Sequence, residues 1–135
     1  MSFSLSSFDS DDITCFDIIK AFYALTDNEL EVLSCVHQGQ SVDIKGITDV
    51  IPKDRATISR SIKKLLAIGF VRSEKKTLER GGYKFLYSSL SMAEIREKLK
   101  LNIELISKRM INAISNLTED KCTAMYENVL TKYKS

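Results

Sequence analysis

Ten of the twenty Lys and Arg residues of this 135-residue chain fall between Pro52 and Lys84, beside only three acids, Asp54, Glu74 and Glu79. That stretch carries about +7, and the remainder, with ten bases against fifteen acids, about −5. Ammonium and guanidinium groups gathered on an otherwise acidic protein share one chemistry, the binding of polyanions. Their spacing narrows it. On a helical wheel Ile58, Ile62, Leu65 and Leu66 fall within about a quarter of the circumference and must face a core. Opposite them lie Arg60, Ala56 and Ala67, flanked by Lys63, Lys64 and Thr57. Small residues, a hydroxyl and three cations suit close approach to the major groove of duplex DNA. Arg60, at the centre, has a planar fork that can bond two acceptors on guanine. Thr57 and Ser59 offer hydroxyls to bases or phosphates, and Arg55 in the first turn is placed for the backbone.

A second set follows: Arg72, Lys75, Lys76, Arg80 and Lys84. Arg80 stands beside Gly81-Gly82, and an arginine at a pointed tip can enter a minor groove, where narrow walls concentrate negative potential. Plainer roles exist for these cations. Lys63 and Lys64 would keep a helix soluble, and a charged hairpin protects its edge from pairing.

The elements that must position these groups are legible in order. Ile13, Phe16, Ile19, Ala21 and Phe22 give a first helical stripe after Asp11-Asp12, acids that suit a helix start. Thr26 and Glu29 form a capping box for a second helix with Leu30, Leu33 and Val36 on one face and Gly39 at its end. Ser41 to Ile51 reads as a short helix with Ile44, Ile47 and Ile51 on one side, ended by Pro52. Asp54 to Ile68 is the next, stopped by Gly69. Phe70-Val71-Arg72-Ser73 and Tyr83 to Leu90 read as strands around Leu78-Glu79-Arg80-Gly81-Gly82, whose glycines supply the positive φ of a tight tip.

Ser91 and Glu94 make another capping box and open a long helix to about Asn116. Leu99, Ile103, Ile106, Met110, Ala113 and Leu117 follow a 4-3-4-3-4 spacing, a coiled-coil seam. Leu101, Leu105, Ile111 and Ile114 add a second apolar flank, and a helix apolar on two sides must be buried on two sides. Thr118 caps a last helix with Cys122, Met125, Tyr126, Val129 and Leu130 inward. The expected class is mainly α with a small β-hairpin. It is a winged helix-turn-helix over residues 13–90, with a flexible arm at 1–12 and C-terminal dimerisation helices at 91–135. Ser41–Ile51 supports and Asp54–Ile68 reads.

Composition closes off other classes. With 44% apolar and 28% charged residues the chain is an ordinary globular protein. The longest apolar stretch, Leu65 to Val71, is far too short to cross a bilayer. The first basic residue is Lys20, so the amino terminus lacks the positive region of a signal peptide, and a cytoplasmic protein is expected. Cys15, Cys35 and Cys122 are odd in number and unpaired in spacing, which argues against a disulfide framework or zinc knuckle and suits small buried hydrophobes. A redox-sensing thiol stays open. His37, the single histidine, reads as a helix-end residue. With no phosphate loop, no His-Cys-Asp cluster and no placed carboxylate pair, neither an enzyme nor a cofactor or metal is expected.

The segment LTDNELEVLSCVHQG, Leu25 to Gly39, resembles the opening helix of archaeal TrmB-type and of MarR-type regulators. RATISRSIKKLLAIGFV, Arg55 to Val71, is similar to their recognition helix running into the first wing strand. The resemblance covers about Leu25 to Leu90. It implies a dimeric, sequence-specific DNA-binding transcription regulator with the outward residues of Arg55 to Lys64 and the wing tip on DNA. TrmB-type proteins carry a further sugar-binding domain. Here about 45 residues follow the wing, which fits a dimer bundle as in the MarR type. Two other functions stay open: a winged helix that docks on protein, which would more often expose apolar residues where this chain has its basic ones, and a ligand-responsive MarR-type repressor whose effector the sequence does not name.

Overall fold

The computed structural model describes residues 13–134. The arm expected over residues 1–12 lies outside the described residues. Two compact units divide the chain, Met1–Arg96 and Glu97–Ser135.

In the first unit, α1 (Cys15–Tyr23) starts at a capping box. Asp17 N–H donates to Thr14 Oγ1 (3.2 Å), and Thr14 N–H donates to the Asp17 carboxylate (3.0 Å). The cap therefore falls two residues beyond the Asp11-Asp12 pair, on a residue whose hydroxyl can accept from the first turn. Helix α1 ends at Ala24, which adopts a left-handed conformation (φ 52°). The expected Thr26–Glu29 box opens α2 (Asp27–Gly39).

The end of α2 differs from expectation. Gly39 stays helical, and it is Gln40 that takes positive φ (φ 66°, ψ −56°). Ser41 N–H donates to the Gly39 carbonyl at 2.7 Å, closing a positive-φ γ-turn around Gln40, a strained conformation for a residue with a Cβ. Gly39 is required for space: a Cβ there would collide with Val42 Cγ1.

Helix α3 (Ile44–Val50) is shorter than the Ser41–Ile51 expected. Val42 leaves the helix to form a two-way bridge with Tyr87 (2.9 and 2.7 Å), and Asp43 becomes the cap, accepting from Gly46 N–H at 2.8 Å. After the Pro52 turn, Asp54 caps α4 (Arg55–Ile68), which ends at Gly69 (φ 91°) with its N–H shared between the Leu65 and Leu66 carbonyls. Strands β1 (Val71–Thr77) and β2 (Tyr83–Ser89) pair antiparallel from Val71↔Ser89 to Thr77↔Tyr83. Gly81 (φ 89°) and Gly82 (φ 78°) turn the tip.

Leu25, Val32, Val36, Ile47, Ile58, Ile62, Leu65 and Phe70 form the centre of this unit, all fully buried. Each such side chain contributes roughly 1.5–3 kcal/mol through burial. Tyr23 meets Phe70 edge to face at 4.9 Å.

Helix α5 (Met92–Ser115) starts in the first unit at the expected Ser91–Glu94 box (3.1 and 3.3 Å) and runs into the second. Thr118 caps α6 (Glu119–Leu130), and a 3-10 turn follows at Thr131–Tyr133. The side chains expected inward on α6 are not. Met125, Tyr126, Val129 and Leu130 are each more than half exposed, and Cys122 is half-buried. A short helical unit has too little layer of its own to cover an apolar stripe on every helix. The cysteines also depart from expectation, because none is fully buried. Cys15 opens α1 and is exposed, while partial burial of Cys35 raises its thiol pKa. No helix among the described residues is long and apolar enough to cross a membrane.

Candidate nucleic-acid interface

Helix α4 is fixed before it presents anything. Its inner face buries Ile58, Ile62 and Leu65, and Ser61 beside them is buried and accepts from Asn28 Nδ2 of α2 at 3.1 Å. That bond holds the rotation of α4 against α2. The opposite face then stands in solvent: Arg55, Ala56, Arg60 and Lys63 are exposed, Thr57 and Ser59 half-buried. Arg60 donates from a guanidinium nitrogen to Thr57 Oγ1 at 3.3 Å, so the two residues expected at bases are already joined across one turn. Asp54 accepts from Thr57 N–H at 2.8 Å. Its carboxyl is held below the usual range chiefly by hydrogen bonds from Thr57, with help from Arg60, so it stays an anion and a cap.

The cations expected to act alike divide into two groups. Lys64 donates to the Ala24 carbonyl (2.6 Å) and pairs with Glu29 (3.0 Å), which ties α4 to the α1–α2 connection. Arg72 pairs with Glu94 at 2.7 Å, the same carboxylate that caps α5. Lys84 lies 3.5 Å from Asp43, the α3 cap, whose carboxyl is lowered first by the Gly46 N–H and then by Lys84. Lys75 Nζ sits 3.9 Å above the Tyr83 ring, a cation–π contact inside the hairpin. Arg55, Lys63, Lys76 and Arg80 make no ion pair among the described residues. They are free for a partner's charge, and the Arg80-Gly81 tip projects with open space around it.

One cation was overlooked by reading helix faces. Lys53 is exposed in the turn between α3 and α4, beside the Asp54 cap. It lies outside both helices, so no wheel could place it, although it belongs to the basic stretch. The six seam residues are also unequal. Leu99 is buried within the chain, Ile103 and Ile106 are half-buried, and Met110, Ala113 and Leu117 are exposed.

Residues 25–80 match the MarR family model. A solved structure from Methanosarcina mazei, described as a possible transcriptional regulator, superposes with a TM-score of 0.69 at 21% identity, over 82% of this chain and 96% of that one. A protein of Sulfolobus tokodaii superposes with a TM-score of 0.57 at 27% identity, over 73% and 93%. An uncharacterized protein of Methanocaldococcus jannaschii is 26% identical over 64% of this chain, and the match spans 66% of that relative's length. Of the two resemblances in the sequence, the family-model match over residues 25–80 supports the MarR type, and none of these matches shows the TrmB type specifically.

Proposed function

Because residues 25–80 match the MarR family model and fold as a winged helix, we propose that the chain is a sequence-specific, duplex-DNA-binding transcription regulator that acts as a cytoplasmic homodimer. One observation carries this reading: the linked Arg60–Thr57 pair lies on an exposed helix face between cations that have no internal acid to neutralise. Lying in a major groove, α4 would turn Arg60 toward a base pair, with Arg55, Lys63 and Lys53 along the phosphates. The wing would add Lys76 and Arg80 to the backbone or an adjacent minor groove. The exposed apolar residues of α5 and α6 are the surface a second copy would cover, and a two-fold dimer reads a roughly palindromic site.

The test is a titration on a duplex obtained by binding-site selection, beside a scrambled one, at two salt concentrations. If each dimer neutralises on the order of 6–10 phosphates, affinity falls by roughly 10³–10⁵ between 50 and 200 mM salt. Arg60→Ala costs about 1–3 kcal/mol on the selected duplex and relaxes one base pair per half-site. Arg80→Ala weakens both duplexes evenly and lowers the salt slope by about one per subunit. Equal loss on both duplexes for Arg60→Ala would refute base reading. A flat salt response would give the basic face to a protein partner.

A ligand-responsive regulator is the second reading. A cavity of about 380 Å³ in the first unit is lined by Cys15, Ile19, Leu33, Met92 and Ile95, with His37 at its edge bonded to Ser89 at 2.7 Å. Such a volume, mostly apolar with few polar groups, is suited to a small molecule.

A further inference from the structure

The first unit carries opposite charge in its two halves. Residues 1–51 hold two basic residues against nine acids, about −7, where the stretch from Pro52 to Lys84 holds about +7. An open groove of about 670 Å³ lies on the acidic half, between α1, α2 and the end of α3. On α2 the buried Val32, Leu33 and Val36 take one side. Leu30, Glu31 and Ser34 take the other and form a wall of the groove. Phe16 of α1 and Val50 of α3 add apolar surface there, at 54% and 69% exposure. The unit's other exposed rings, Tyr83 and Phe85, share one side of the hairpin beside Lys75 and so stand with the cations. Phe16 and Val50 stand with the acids.

The rim decides the occupant. Asp17, Asp27 and Glu31 line the groove with one base, Lys20, which already pairs with Asp27 at 2.6 Å. Asp17 accepts from Thr14 N–H, which holds its carboxyl below the usual range and keeps it an anion. Glu31 makes no ion pair among the described residues. Such a rim repels nucleic acid and anionic lipid. Residues 1–12 bring Asp9, Asp11 and Asp12 and no base, so this chain's own arm does not complement it. A second copy has its concentrated positive charge on the face proposed for DNA. A drug-sized ligand buries most of its surface in a pocket, whereas this groove is open and spans three helices. A polypeptide with apolar side chains on one face and Lys or Arg beside them matches both the surface and the rim.

We propose that this groove docks a basic amphipathic helix of another protein. Its apolar side chains cover Phe16, Leu30 and Val50, and its cations meet Asp17 and Glu31. None of the lining residues belongs to α4 or the hairpin, so the helix and a duplex are held at once. The chain then joins a second protein to its DNA site. Simultaneous occupancy rests on the proposed DNA-binding function; docking itself does not.

The probe is a fluorescein-labelled synthetic helix with Leu at i, i+3, i+4 and i+7 and Lys between, titrated by anisotropy into the full-length protein. A twin with Glu in place of Lys and a shuffled peptide of the same composition are the comparisons, and both should bind roughly tenfold more weakly. Glu31→Lys and Val50→Ser, at exposed positions, should each weaken the Leu–Lys helix roughly 3–10-fold. Glu104→Lys removes an exposed acid from the second unit with the same change in net charge, and should bind within twofold of the parent. The unlabelled helix should leave a labelled selected duplex bound. If either comparison peptide binds as tightly as the Leu–Lys helix, or Glu31→Lys and Val50→Ser both stay within twofold of the parent, the groove is not the site and the inference falls. If Val50→Ser turns a parent dimer into a monomer in sedimentation, the groove belongs to a second copy and the inference falls as well. Release of the duplex by the helix would overturn simultaneous occupancy. A parent that takes the helix as expected and binds no duplex would overturn the DNA-binding function and leave docking in place.

Discussion

Lys64→Met separates the structural cations from those available to a ligand. The substitution keeps most of the aliphatic stem and removes the ammonium that donates to the Ala24 carbonyl at 2.6 Å and pairs with Glu29 at 3.0 Å. A hydrogen bond from a charged donor contributes about 1.5–3 kcal/mol when shielded. Here the Lys64 side chain is 37% exposed and that of Glu29 14%, so solvent screening brings the sum nearer to 1–2 kcal/mol. Glu29 retains the Thr26 N–H at 2.9 Å, so its carboxylate is not left without a partner. Ala24, left-handed at φ 52°, loses the group that holds its carbonyl. At roughly 2–8 °C per kcal/mol, the melting temperature should fall by several degrees. Differential scanning calorimetry reads that shift, and anisotropy titrations across salt read the second quantity. A lysine on a phosphate contributes about 0.9 to the logarithmic salt slope. Lys64→Met should leave the slope unchanged, while Lys63→Met should lower it by about one per subunit and leave the melting temperature in place. A reduced slope with an unmoved melting temperature in Lys64→Met would refute this assignment.

Three further outcomes are expected. Sedimentation equilibrium at micromolar concentration should give about twice the 15.3 kDa chain mass, and Ile106→Glu, a charge in the half-buried seam, should return it to one. Gln40→Gly relieves the positive φ of 66° and should raise the urea midpoint by the equivalent of about 0.5–1 kcal/mol; a decrease would mean the turn is unstrained. Asp43 is lowered from its ordinary 3.8 by Gly46 N–H and Lys84, so its stabilisation is present above that value and lost as pH falls through the lowered one. Asp43→Ser keeps a capping oxygen without the titration. Its urea midpoint should therefore fall less steeply than the parent's below pH about 4, and parallel curves would remove Asp43 from the acid response.

The helices were legible because their ends are chemical. Thr26–Glu29, Ser91–Glu94 and Thr118 each supply an oxygen to a free N–H, and the structure uses all three. The Ile58–Ile62–Leu65 stripe fixed which side of α4 faces solvent. Misplaced features depend on partners distant in sequence. Val42 is drawn out of α3 by Tyr87, a residue no local pattern connects to it. Lys64, Arg72 and Lys84 resemble Arg60 in type, and only the fold reveals that Glu29, Glu94 and Asp43 lie beside them. The stripe on α6 is exposed although its spacing is that of an inward face, because apolar periodicity reports a need for burial, not whether the same chain satisfies it.

The hairpin is anchored along its strands as far as Lys84, and its tip is not. Arg72 to Glu94, Val42 to Tyr87 and Lys84 to Asp43 tie it to the rest of the unit, while the hydrogen bonds and ring contacts of residues 77–83 stay within the hairpin. Length is therefore free to change at the tip without disturbing the anchors. One added residue per strand would turn the outer side chains to the opposite face, whereas two per strand would preserve the aromatic side. A wing lengthened by two residues per strand between Lys76 and Lys84 should therefore keep its register and carry the Arg80-Gly81 tip one further pleat outward.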